Sequence, residues 1–141
     1  MQQITQTLAA ARDASGDPFY RITQAIRAYL AFFDDHPDIV ELFIQERAIF
    51  KDRKRPTYFE YRDANRGAWR ELYAQLVAEG SIRDDIPLDL ILDTLGHLLY
   101  GAMFTNHFIG RSISIDGQQD AIVRIAFDGL LTNAERERRR S

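Results

Sequence analysis

Cysteine is absent from the 141-residue chain. That excludes disulfides, cysteine nucleophiles and thiolate zinc sites, and it fits a reducing cytoplasm, the compartment expected here. Strong charge imbalance is missing too. The net charge is −3 and the isoelectric point lies near 5.6, so the chain as a whole carries no electrostatic mark of a nucleic-acid binder. The N-terminus, MQQITQTLAAARDASGD, lacks a basic segment followed by an apolar core, so no secretion signal is apparent. Alternating strand patterns, internal repeats and long linkers are all missing. So are the motifs of catalysis. Ser112 in Gly110-Arg-Ser-Ile-Ser lacks the second glycine of a nucleophile elbow, and there is no phosphate-binding glycine loop. The pairs Asp34-Asp35 and Asp84-Asp85 read as helix boundaries. The expectation is a protein that is not an enzyme and needs no cofactor.

A hydrophobic fraction of 45 % and a charged fraction of 28 % are ordinary for a soluble domain, and this length suits a single domain with a proper core. The organising stretch runs from Pro87 to Gly110, PLDLILDTLGHLLYGAMFTNHFIG. Proline opens it, glycine closes it, and the helix between spans about 33 Å at about 1.5 Å per residue. Leu88, Leu92, Leu95, Leu99 and Met103 mark one side, while Leu90, Ile91, Leu98, Ala102, Phe108 and Ile109 fill others. A helix apolar nearly all round must be covered on more than one face. Asp89, Asp93, His97, Asn106 and His107 break the run, which leaves no clean stretch of about 18 apolar residues for a membrane span. The expectation is a central helix covered by its own domain on one side and by a second subunit on the other.

The remaining helices follow in order. Residues 2–13 form a weakly amphipathic helix with Ile4, Leu8 and Ala11 on one side, ending at Ser15-Gly16. Asp17-Pro18 supplies an N-cap and a first-turn proline. The helix after it carries Phe19, Ile22, Ile26, Tyr29, Leu30 and Phe33, spaced 3, 4, 3, 1 and 3 on one face. Asp34-Asp35-His36-Pro37 starts a helix over 37–50, with Val40, Phe43, Ile44 and Phe50 inward and Glu41 and Glu46 outward. After the basic loop Lys51–Arg55, Thr57 and Glu60 read as a capping box for a helix to Glu79, with Gly80 as its stop. Tyr58, Tyr61, Ala68, Trp69, Leu72, Leu76 and Val77 form its core side. Asp116 and Gln119 suggest the cap of a last helix carrying Ile122, Ile125, Ala126, Gly129 and Leu130. The expected architecture is all-α, a six-helix bundle over residues 1–134, with a charged tail at 135–141 that reads as frayed or disordered.

These helices in this order resemble the C-terminal ligand-sensing and dimerisation domain of tetracycline-repressor-type (TetR/AcrR) transcriptional regulators. The resemblance rests on D17-P-F-Y-R-I-T-Q-A-I-R-A-Y-L, H36-P-D-I-V-E-L-F-I-Q-E, A78-E-G-S-I-R-D-D-I-P-L-D, L98-L-Y-G-A-M and F127-D-G-L-L, and covers about residues 2–132. It implies that residues 1–16 are the remnant of the helix linking sensor to DNA reader. The helices at 87–109 and 118–131 would pair with their counterparts from a second subunit in a four-helix bundle. The family's reader is an N-terminal helix-turn-helix, and this chain offers no basic recognition helix. The implied partners are therefore a second copy and a small hydrophobic effector, with DNA reached only through a domain outside this chain and no membrane involved.

Individual residues divide into two groups. Tyr29, Phe33, Phe43, Arg47, Tyr58, Tyr61, Arg62, Trp69, Leu99, Tyr100, Met103 and His107 are candidates for lining a cavity between the helices at 18–34, 37–50, 57–79 and 87–109. Arg47 falls on or beside an apolar face, where a buried guanidinium needs an anion, a carboxylate ligand or Asp93; an internal ion pair or a stem snorkelling to solvent is the commoner outcome for such a residue. Leu90, Thr94, His97, Leu98, Gly101, Thr105, Ile122, Ile125 and Gly129 are the candidate dimer interface. There, helix-internal Gly101 and Gly129 would allow close backbone approach at about 1 kcal/mol each in helix stability. His97 and His107 are expected to hydrogen-bond neighbours rather than bind metal, since no Glu-x-x-His occurs. The basic runs at 51–55 and 136–140 read as solvated surface.

Overall fold

The computed structural model describes residues 2–14, 16–49 and 56–140, Gln2 without its side chain. Phe50 and the basic loop Lys51–Arg55 fall outside the described residues. The helices are α1 (Gln2–Asp13), α2 (Pro18–Asp35), α3 (Pro37–Ile49), α4 (Thr57–Ala78), α5 (Leu88–Ile109), α6 (Ile115–Val123) and α7 (Asn133–Arg140), and α6 runs on into a π-helical turn, Arg124–Asp128. No strand occurs among the described residues. The all-α expectation holds, and the first five helices lie within a residue or two of where the sequence puts them.

Local chemistry explains several boundaries. Asp17 caps α2: its Oδ1 accepts from the amides of Phe19 at 2.9 Å and Tyr20 at 3.2 Å. At the far end of α4, Gly80 takes φ +81°, its amide donates to the Val77 carbonyl at 3.0 Å, and Ser81 donates to Leu76 at 2.9 Å. That is a Schellman closure, and the positive φ is what requires glycine there.

Other boundaries depart from expectation because a distant residue intervenes. The Thr57–Glu60 capping box does not form. Pro56 occupies the N-cap position, and the Glu46 carboxylate accepts from the Thr57 amide at 2.7 Å and its hydroxyl at 2.6 Å. A carboxylate from α3 thereby satisfies an orphan donor at the positive end of α4, so Glu46 turns inward. In α6 the cap is Ser114, which accepts from Gly117 at 3.0 Å. Asp116 instead pairs with Arg27 at 2.6 Å, and Gln119 donates to the Thr23 carbonyl at 2.7 Å. Gly129 is not inside a helix; at φ +86° it ends the π-helical turn. The tail is helical rather than frayed, with Arg138 and Arg139 on Glu135 at 2.6 and 3.3 Å.

α2 is the hub. Seven of its residues are buried: Ile22, Ala25, Ile26, Tyr29, Leu30, Phe32 and Phe33. One side joins Ile4 and Leu8 of α1, Val40 of α3, Tyr58 and Met103 in a first core. The other side joins Leu72, Tyr73 and Leu76 of α4 and Ile122 of α6 in a second. In α5, by contrast, only Met103 is buried. Its leucines at 88, 92, 95 and 99 pack inward part-buried, and the opposite side lies open. The helix that looks central in sequence is peripheral within one copy, because a single chain covers one of its faces.

The Asp17 cap yields a direct test. Asp17→Ala should lower the unfolding free energy by about 1 kcal/mol while Asp17→Asn stays near wild type. Chemical denaturation in which both variants match wild type would show that the cap contributes nothing.

Candidate ligand-binding site

A cavity of about 140 Å³ lies between α1, α2, α4 and α5. Leu8 roofs it from α1, and α2 contributes Ile22, Ala25, Ile26 and Tyr29. From α4 come Tyr58, Tyr61, Arg62, Asn65, Arg66, Trp69 and Tyr73, spaced 3, 1, 3, 1, 3 and 4, which is one continuous helical face. Leu92, Leu95, Gly96 and Leu99 close the fourth side from α5. A Cβ at Gly96 would meet nothing within 4 Å, so this glycine leaves the wall thin.

The polar groups are few and organised. The Tyr29 and Tyr58 hydroxyls lie 2.6 Å apart, one donating to the other. The Tyr61 and Tyr73 hydroxyls have no hydrogen-bond partner among the described residues, although Tyr73 is only 6 % exposed. Burial pushes Tyr58 up to about 12 and raises Tyr29, Tyr61 and Tyr73 as well, so all four stay protonated at neutral pH. Arg66 is anchored to Asp93 Oδ1 at 2.7 Å and to the Asp89 carbonyl at 3.1 Å. Arg62 lies 4.8 Å over the Phe59 ring, with two of its nitrogens 3.3 and 3.4 Å from Asp63 Oδ1. Arg12 of α1 sits 5.8 Å from the centroid of Trp69, so α1 touches the cavity wall twice, through Leu8 and through Arg12.

Of the twelve residues expected to line a pocket, Tyr29, Tyr58, Tyr61, Arg62, Trp69 and Leu99 meet in this cavity. Phe33, Met103 and His107 line a second one of about 130 Å³, which Tyr29 shares; His107 Nε2 there donates to Glu41 at 2.7 Å. Phe43 and Tyr100 line neither. They buttress Tyr58, with ring centroids at 5.7 and 4.7 Å. Arg47 lines neither cavity: it is exposed on α3, as a stem snorkelling to solvent would be, and Asp93 serves Arg66 instead. Sequence reasoning passed over Asn65 and Arg66, although their register with Tyr58, Tyr61, Arg62 and Trp69 on α4 was the available signal. It read Leu8, Ile22, Ile26, Leu92 and Leu95 as core, and a wall residue and a core residue look alike in sequence.

The candidate interface is also legible on the surface. Leu90, Thr94, His97, Leu98, Gly101 and Thr105 are all exposed, spaced 4, 3, 1, 3 and 4, and Phe108 extends the same stripe. Ile125 and Gly129 are exposed beside Leu130. Ile122 is a correction. At 9 % exposure it packs into the second core with Ile22 and Leu72, because α6 lies against α2.

An all-helical domain with an apolar cavity under its first helix defines a class, and the sequence comparison gives the family. Residues 15–99, more than half of the chain, match the family described as tetracyclin repressor-like, C-terminal domain, and the protein belongs to it. No curated protein matched the chain, and no solved structure did. Among the described residues no helix is long and apolar enough to cross a membrane.

The tyrosine cluster generates a pH dependence. Its folded-state ionisation lies above the usual value of 10.0, so the stability it contributes is complete below pH about 10 and is lost as pH rises through about 12. Thermal unfolding followed over that range should show a falling midpoint, with a shallower fall in Tyr58→Phe. Identical alkaline profiles for the two proteins would contradict the assignment.

Proposed function

We propose that this chain is the effector-sensing and homodimerising domain of a transcriptional regulator, and that its effector is a hydrophobic or aromatic small molecule. The observation that carries the reading is the cavity itself, apolar over most of its wall and roofed by α1. It is also what separates this reading from a plain dimerisation module with a filled core. In a regulator with a DNA reader ahead of α1, a ligand pressing on Leu8 and Trp69 would displace α1 through Leu8 and Arg12 and alter the spacing of two readers. The ligand shifts that equilibrium only by the difference in its affinity for the two spacings.

The open stripe on α5 supports the second half of the proposal. Leu90, Leu98 and Phe108 are 54, 43 and 64 % exposed on α5, and Ile125 and Leu130, past α6, are 52 and 79 % exposed. A stripe of exposed apolar side chains on one helix face marks an association site. Two copies packing α5 and the segment at 115–131 against each other would bury about 800 Å² per partner in an interface of ordinary size.

Native mass spectrometry tests both halves, because subunit count and any co-purified small molecule are read together. A dimer is expected at micromolar concentration, and Leu98→Glu with Gly101→Glu should yield a folded monomer; a monomeric wild type sinks the association. Gly96→Leu should fill the cavity, keep the unfolding free energy within about 3 kcal/mol of wild type, and abolish ligand-induced change in the fluorescence of Trp69, the one tryptophan. Unaltered ligand response in that variant would move the site elsewhere.

A further inference from the structure

We propose that the cavity between α1, α2, α4 and α5 takes a small amphipathic carboxylate, an apolar body about the size of one aromatic ring whose acid group is received by Arg62. The inference rests on the sensing function proposed above and adds the chemical class of the ligand.

Size comes first. A volume of about 140 Å³ is close to that of apolar cavities of about 150 Å³ that accept benzene. Charge comes second. Both ionisable side chains in the wall besides the tyrosines are arginines, and no carboxylate lines it. Arg66 is committed, held by Asp93 at 2.7 Å and by the Asp89 carbonyl at 3.1 Å. Arg62 is not held in the same way. Its Nε and one terminal nitrogen both reach a single oxygen, Asp63 Oδ1, at 3.4 and 3.3 Å, the long end of hydrogen bonding, and that oxygen belongs to its immediate neighbour on the helix. Its remaining N–H groups have no hydrogen-bond acceptor among the described residues. The Phe59 ring, 4.8 Å away, steadies the guanidinium plane without supplying an anion.

Donor surplus comes third. The Tyr61 hydroxyl, one residue from Arg62, is unpartnered among the described residues and kept protonated by burial. Tyr73, 6 % exposed and in the same wall, is likewise unpartnered. Neither hydroxyl oxygen is fully enclosed, so both reach open space and can donate into it. A wall with spare donors and no anion of its own selects a ligand that brings acceptors, and an ammonium would meet two arginines instead. Part-buried guanidinium–carboxylate contact, bidentate where geometry permits, gives the selectivity.

The experiment uses the full chain with three probes of one shape: benzoate, benzyl alcohol and benzylamine. Binding is read by Trp69 fluorescence and by calorimetry. Benzoate should bind at least about tenfold more tightly than either of the others, in line with charged hydrogen bonding. Arg62→Gln should remove about tenfold of benzoate affinity and leave benzyl alcohol within about twofold, while Arg62→Lys retains a preference for the acid. Because Arg62 is part-exposed, neither variant removes core packing. Equal affinity for benzoate and benzyl alcohol, or a preference for benzylamine, overturns the carboxylate class and leaves the sensing cavity standing. Failure of all three probes to bind the wild type overturns the cavity reading and this inference together.

Discussion

The two-sided burial of α2 is the constraint from which the rest of the molecule follows. Tyr29, Phe32 and Phe33 must be covered on one side and Ile22, Ile26 and Leu30 on the other, and no single neighbour can do both. α1 and α3 therefore close over one side, α6 and the end of α4 over the other, and α5 lies along the remainder. Each neighbour is held by a few side chains set at helical spacing. α5 is covered on the leucine side alone, which leaves Leu90, Leu98 and Phe108 facing out.

The same arrangement accounts for the cavity. Apart from Tyr29, α2 contributes only Ala25 and the aliphatic Ile22 and Ile26 to the wall, and α5 contributes Gly96. Bulky rings on α4 are propped by edge-to-face contacts, Tyr58 with Phe43 at 5.7 Å and with Tyr61 at 6.2 Å, and are not free to collapse inward. Space remains where small residues face braced large ones. Trp69 lines that space with Arg12 over its ring, so what occupies the cavity is mechanically adjacent to α1.

How much could be read in advance depended on how far apart the interacting residues lie. Asp17 and Gly80 were legible because a cap and a Schellman turn are settled within six residues. The start of α4 was not, since Glu46 reaches it from another helix. Ser114 was passed over in favour of Asp116 because nothing local reveals that Arg27 draws that carboxylate away. Half of the proposed pocket residues met in one cavity. Of the others, Phe33, Met103 and His107 line the second cavity, Arg47 stays exposed, and Phe43 and Tyr100 brace Tyr58, because aromatic character marks a residue for the interior without saying whether it lines a space or props the side chain that does.

Periodicity, caps and the order of the helices were thus carried by the 141 residues alone, because each is fixed by contacts a few residues apart. They sufficed for an all-helical domain, for its family resemblance, and for the outward stripe on α5. Three-dimensional packing alone decided that α2 is the hub, that Ile122 goes to the core while Ile125 stays outside, that Asp93 belongs to Arg66 rather than Arg47, and that a void of benzene size persists beneath α1. Each of those outcomes is a competition between residues distant in sequence for the same volume or the same charge, and such competitions are settled only when the helices meet.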